Sequence, residues 1–124
     1  MNTKEIKIGL CEGRHEIPEV TEYIFPKDFF NESNTMFDFD RMTKRIHEVL
    51  KYKVLEEESS VTLYVTGFTP ALVEVINYCE RNLIELKLMH FNRETSEYVP
   101  QETFTNYWLN DMNGAGFTYV NLNQ

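Results

Sequence analysis

Cysteine is scarce in this chain. There are two, Cys11 and Cys79, with no spacing a metal site or disulfide framework would use. Each lies within or at the end of an apolar run, so both are expected to be reduced core residues. Positive charge is also short: 12 Lys and Arg stand against 20 Asp and Glu, a formal net charge of −8. Affinity for a nucleic-acid backbone comes mainly from many Lys and Arg contacts, so binding to an extended DNA or RNA strand is not expected. No run approaches the roughly 18 consecutive apolar residues of a membrane span, and MNTKEIKIGL lacks the apolar core of a secretory signal. A cytoplasmic location without membrane attachment is the expectation. Also missing are a Walker-type GK[ST] loop, GxGxxG, a GxSxG elbow and HExxH. With no clustered Cys or His either, no metal and no cofactor are expected.

What remains is ordinary globular composition, 42% hydrophobic and 26% charged over 124 residues, the size of a single domain spanning 1–124 with a real core. The most informative stretch is Val61 to Phe91, VTLYVTGFTPALVEVINYCERNLIELKLMHF. Val61, Leu63 and Val65 alternate with Thr62, Tyr64 and Thr66, which reads as a strand closed by Gly67. Thr69 fits a helix N-cap and Pro70 the first helical position, where its missing N–H costs nothing. Leu72, Val73, Val75, Ile76 and Cys79 follow at helical spacing, with Asn82 as a left-handed C-cap. Ile84 to Phe91 is a second strand, and such a unit forms a right-handed parallel crossover.

Around that unit, Ile6, Ile8 and Leu10 alternate with Glu5, Lys7 and Gly9 to give a first strand over about residues 4–11. Glu12 to Pro18 reads as a loop, Val20 to Phe25 as a short strand, and Pro26 to Phe37 as a connection with a few apolar anchors. Asp38 or Asp40 caps a helix whose face is Met42, Ile46, Val49, Leu50 and Val54, ending before Glu56, Glu57 and Glu58, which would oppose the helix dipole at a C-terminus. Asn92 to Glu97 has turn chemistry and Tyr98 to Pro100 pairs back. Gln101 to Met112 is assigned to a short helix, Asn113 to Gly116 to a turn, and Phe117 to Leu122 to a last edge strand. The fold class is therefore α/β: a small, Rossmann-like, mainly parallel sheet flanked by helices, with a C-terminal hairpin or edge strand.

In open sheets of this kind ligands bind beyond the carboxyl ends of the strands. Thr66, Gly67 and Thr69 fall there, with hydroxyls and helix N-terminal N–H groups suited to an anion. Arg14 and His15, in the loop after the first strand, would face the same crevice, one as a phosphate fork and the other as a hydrogen-bond donor or general base. His90, Asn92 and Arg93 would form a far wall, and His15 and His90 are the candidate catalytic groups. Each also has a structural reading: Thr-Pro as a cap, Gly67 as a turn residue, Arg14 and His15 in a solvated loop, His90 as a hydrogen-bonded core residue. Phe104, Tyr107 and Trp108 could stack on a base, pack in the core or line a dimer interface.

On Thr66, Gly67 and Thr69 and the helix and strand that follow, the chain resembles CRISPR-associated Rossmann-like (CARF) sensor domains and related small ring-nuclease proteins. GRHEIP is similar to the short His-containing loop after the first strand in some of them. The resemblance implies a homodimer that binds a cyclic oligonucleotide across its two-fold axis. The compact acidic chain is also similar to small phage and mobile-element proteins, which implies a counter-defence role. Two functions follow as expectations. One is binding of a small nucleotide or cyclic oligonucleotide as sensor, sponge or slow ring nuclease. The other is an acidic, nucleic-acid-mimicking inhibitor of a basic host defence protein.

Overall fold

In a computed structural model describing residues 4–13, 16–32, 35–55 and 60–103, alternating apolar residues and helical stripes become one five-stranded sheet and two helices. The strands are β1 (Glu5–Cys11), β2 (Tyr23–Phe25), β3 (Ser60–Tyr64), β4 (Leu86–Asn92) and β5 (Glu97–Glu102). The helices are α1 (Phe39–Leu55) and α2 (Thr69–Arg81). The sheet order is β2-β1-β3-β4-β5, with the first four strands parallel and β5 antiparallel to β4. The small, mainly parallel α/β fold with a C-terminal hairpin is thus as expected from the sequence. No described helix is long and apolar enough to cross a membrane.

Period-two alternation decides which face each strand residue takes. Ile8, Leu63 and Leu88 lie side by side in register on one face, with Val61 and Leu86 one row earlier. Both helices pack there: Met42, Ile46 and Leu50 from α1, and Ala71, Val75 and Cys79 from α2, join those strand residues in the main core. Truncating a fully buried member such as Ile46 should cost about 2–5 kcal/mol. The other face carries no described helix. Ile17 and Val20, from the β1–β2 connection, pack there on Tyr64 with Tyr23, Met89 and Tyr98. The two crossovers through α1 and α2 therefore lie on one side and the β1–β2 connection on the other, as right-handed connections running in opposite directions require.

Gly9 makes that second face possible. A Cβ there would overlap Cδ2 and Cε2 of Tyr23, so the ring lies directly over the bare backbone of β1. Asp38 caps α1, its carboxylate accepting from Arg41 N at 3.1 Å, and Asp40 sits favourably in the first turn. The 26–37 connection supplies the expected anchors. Phe29 and Phe30 pack on Phe25 at centroid distances of 5.0 and 5.5 Å, and Arg41 lies 3.8 Å above the Phe29 ring.

Several boundaries differ from expectation. The N-cap of α2 is Phe68, and Thr69 is the first helical residue. At the other end Asn82 has φ −104°, and the left-handed residue is Leu83 at φ 53°. Ile84 N donates to Cys79 O at 2.8 Å and Leu83 N to Glu80 O at 3.3 Å, a Schellman arrangement in which the buried Ile84 and Cys79 hold the chain reversal. β4 consequently begins at Leu86 and not Ile84, and β2 is shorter than the run from Val20. Gln101 and Glu102 belong to β5 and not to a helix, because they continue the ladder against Leu88 and Lys87. Thr103 is not helical either: it is buried, and its hydroxyl donates to Leu86 O at 2.8 Å. Residues 104–112 of the expected helix, with Phe104, Tyr107 and Trp108, the 113–116 turn and the last strand lie outside the described residues.

Candidate functional site

In this strand order the chain leaves β1 toward β2 on one side and β3 toward β4 on the other, so the topological switch point lies between β1 and β3. Ligand crevices of open α/β sheets form there, beyond the carboxyl ends. The turn after β3 contributes Val65 to Phe68, and the turn after β1 contributes Glu12 and Gly13. Gly67 (φ 77°) and Gly13 (φ 95°) both take left-handed backbone that glycine adopts without a Cβ penalty.

Thr66 joins the two turns. Its hydroxyl donates to Cys11 O at 2.7 Å and accepts from Cys11 N at 2.9 Å, and the residue is buried. This pair of bonds extends the β1–β3 ladder past the last backbone pairing, so Thr66 closes the base of the crevice instead of presenting its hydroxyl to it. Gly67 and Thr69 are more open, and what they frame is the first turn of α2. No side chain caps that turn. Leu72 N donates to Phe68 O, Pro70 has no N–H, and the N–H groups of Thr69 and Ala71 find no acceptor among the described residues. Unpaired donors at a helix N-terminus favour an anion through hydrogen bonds and through the dipole.

Phe68 turns away from this opening. It packs edge-on against Phe30 at 5.1 Å and near Phe37 at 6.0 Å, which pins the turn to the 26–37 connection. Beside the other turn lies a cleft of about 620 Å³ lined by Glu12, Gly13, Glu16, Ile17, Pro18, Val20, Tyr23 and Lys27. Lys27 N donates to Glu12 Oε1 at 3.1 Å, tying the cleft floor to the start of the next connection. Arg41 is engaged elsewhere, donating through Nη1 to Phe29 O at 2.6 Å, and among the described residues the cation that lines this cleft is Lys27, which shares the lining with Glu12 and Glu16.

Arg14 and His15 lie outside the described residues, between Gly13 and Glu16 of this cleft's lining. Asn92 and Arg93 sit at the start of the β4–β5 turn. Asn92 Oδ1 accepts from Glu94 N at 2.9 Å and Asn92 O from Ser96 N at 2.8 Å, so this asparagine shapes its own turn. Arg93 is exposed on that turn. His90 is not a core residue: it is half-buried, and its Nε2 pairs with Gln101 Oε1 at 2.6 Å across the β4–β5 ladder. The structure thus brings together the turns after β1 and β3, whereas His90 and Asn92 have their described hydrogen bonds within the hairpin and Arg93 stands exposed on its turn. Among the described residues no group of three or more His, Cys, Asp or Glu side chains is placed to hold a metal ion.

Two features of the cleft escaped the sequence reading. Tyr23 and Lys27 were not singled out, although a glycine in mid-strand is a signal that something bulky lies across the backbone. Burial pushes the Tyr64 phenol up from its ordinary range, and the Glu19 carboxylate adds to this. Comparison with known proteins gives no match to a family model, to a curated protein sequence or to a solved structure.

Proposed function

We propose that this protein binds a small phosphorylated ligand, of the nucleotide or cyclic-oligonucleotide class, at the carboxyl edge of its sheet between the turns after β1 and β3. The observation that carries the reading is the uncapped first turn of α2 at the topological switch point, with a cleft beside the partner turn. Binding would rely on backbone N–H groups and the Thr69 hydroxyl more than on paired cations. Arg14 and His15 belong to the same loop in sequence and are the natural further contacts, with His15 the first candidate for a general base and His90 the second. A homodimer that closes over a symmetric ligand is part of this reading.

Thermal unfolding against a panel of cyclic di-, tri- and tetranucleotides tests it. A ligand at 100 times its Kd stabilises the native state by about 2.7 kcal/mol, a rise of several degrees. Thr69→Glu, which puts a carboxylate at the helix N-terminus, should leave the fold intact and abolish the rise. A panel that leaves the melting temperature unchanged would sink the proposal. Incubation of a ligand that does bind, followed by mass analysis, separates a ring nuclease from a sponge.

A second reading is favoured by a different observation. Met36, Phe37 and Phe39 are 44%, 65% and 46% exposed, an unusual apolar display on a chain of net charge −8. An acidic inhibitor would seat these residues in a basic partner. Capture that weakens steeply with salt, fails for Phe37→Ser and is indifferent to Thr69→Glu would support this reading over the first.

A further inference from the structure

The helices α1 and α2 run parallel, and their facing side chains meet in rungs offset by 31 positions. Thr43 Oγ1 donates to Glu74 Oε1 at 3.1 Å, and one turn further His47 Nδ1 pairs with Tyr78 OH at 2.8 Å. Along this seam lies a cleft of about 440 Å³ lined by Thr43, Lys44, His47, Glu48, Tyr78, Arg81 and Asn82. Residues four apart share a helix face, so Thr43 with His47 and Tyr78 with Asn82 form its two walls.

The charges around this cleft are arranged unevenly. Glu48 is within 3.8 Å of Arg45, outside the lining, and Glu74 is engaged by Thr43. Lys44 and Arg81 have no ion-pair partner among the described residues. The phenol ring of Tyr78 is buried with its hydroxyl held by the exposed His47. In the tautomer in which Nδ1 accepts the phenol proton, the imidazole carries its own proton on Nε2, at the far side of the ring. Two cations without an ion-pair partner among the described residues and an imidazole donor thus share one lining with the Tyr78 ring, and they do so on a strongly acidic protein.

We infer that the α1–α2 cleft is a second ligand site, taking a compact anion carried on a small apolar or aromatic body, with Lys44 and Arg81 on the anion, His47 as a hydrogen-bond donor and Tyr78 against the apolar part. Charge complementarity selects the anion, and the ring and the aliphatic stems of Lys44 and Arg81 select the body. This site is separate from the carboxyl edge and does not depend on what binds there.

The chain has three histidines, so the imidazole region of a proton NMR spectrum is simple, and His47→Gln assigns the His47 line. Titration with phenyl phosphate should move that line to saturation, and neutral benzyl alcohol should not. In Lys44→Gln/Arg81→Gln, a surface pair that leaves the core untouched, binding should weaken about fivefold or more. Tyr78→Phe, which keeps the ring but frees the imidazole, should weaken it less. Thr69→Glu should change nothing. The inference is overturned if the His47 line stays still, if benzyl alcohol moves it equally, if the double variant titrates like the parent, or if Thr69→Glu abolishes the response.

Discussion

The Thr66 hydroxyl is used twice, donating to the Cys11 carbonyl and accepting from the Cys11 N–H, both buried. Replacing it with the isosteric valine removes both of these bonds from a buried site, and a hydrogen bond of this kind contributes about 0.5–1.5 kcal/mol. Thr66→Val should therefore lower stability by about 1–3 kcal/mol in urea unfolding. Thr66→Ser, which keeps the oxygen, should lose much less. If the two variants are equally stable, the bridge contributes nothing. The sequence marks Thr66 as a hydroxyl at a strand end, and both ligand contact and structural bridge are consistent with that. Its partner lies 55 positions away, and only the register of β1 against β3 brings the two together, so no local pattern could have separated the roles. Gly67 differs in this respect: a glycine closing a strand before Thr-Pro already implies positive φ, and the structure has it at 77°.

At the level of elements, the ends of α2 show what short-range pattern can and cannot carry. Its apolar stripe and the Pro near its start located the helix to within a residue, because period and the missing N–H are local properties. The N-cap lies one residue earlier than Thr69, and Asn82 is the C-cap as expected but the left-handed residue is the one after it. Phe68, with no capping oxygen, occupies the N-cap because the aromatic cluster around Phe30 and Phe37 holds it there. Leu83 takes the left-handed position because Ile84 must enter the core beside Cys79. A leucine with φ 53° has its Cβ crowded by backbone, a strain of about 1–2 kcal/mol that glycine lacks. The greater freedom of glycine in the unfolded chain offsets part of that. Leu83 is half exposed, so Leu83→Gly should raise stability by about 0.5–1 kcal/mol in chemical denaturation. A loss would mean that the side chain packs more than its exposure implies. The hairpin after β4 was legible as turn chemistry at Asn92, but the strand beyond it read as a helix from Gln101, because aromatics at helical spacing masked two residues whose cross-strand partners decide their state.

On the scale of the whole molecule, burial of one thiol couples stability to alkaline pH. Cys79 lies in the core, and burial pushes its thiol up from 9.0 to about 12. The unfolded chain loses that proton more readily than the folded one. The contribution is fully present below pH 9, and it falls as pH rises from 9 toward about 12, by about 1.4 kcal/mol per pH unit once the unfolded thiol is ionised. The buried phenols of Tyr64 and Tyr78, also raised by burial, act in the same direction above their ordinary value of 10.0. Urea midpoints measured from pH 8 to 10.5 should decline, and more shallowly in Cys79→Ala. Equal slopes in both proteins would remove the thiol from the account. Over the same range Cys79 should resist thiol reagents until the protein unfolds.

The same sheet also constrains how copies of this chain can associate. Its described outer strands are β2, three residues long, and β5, which carries Pro100 in place of a residue with an N–H. Short strands and prolines make poor templates for adding a further strand. A dimer formed by continuing the sheet from either of these edges would have few main-chain bonds to make. Self-association, where it occurs, should therefore be decided by side chains such as Phe37 and Phe39, and point substitutions there should titrate it smoothly, without the nucleated, fibre-forming behaviour that open sheet edges produce.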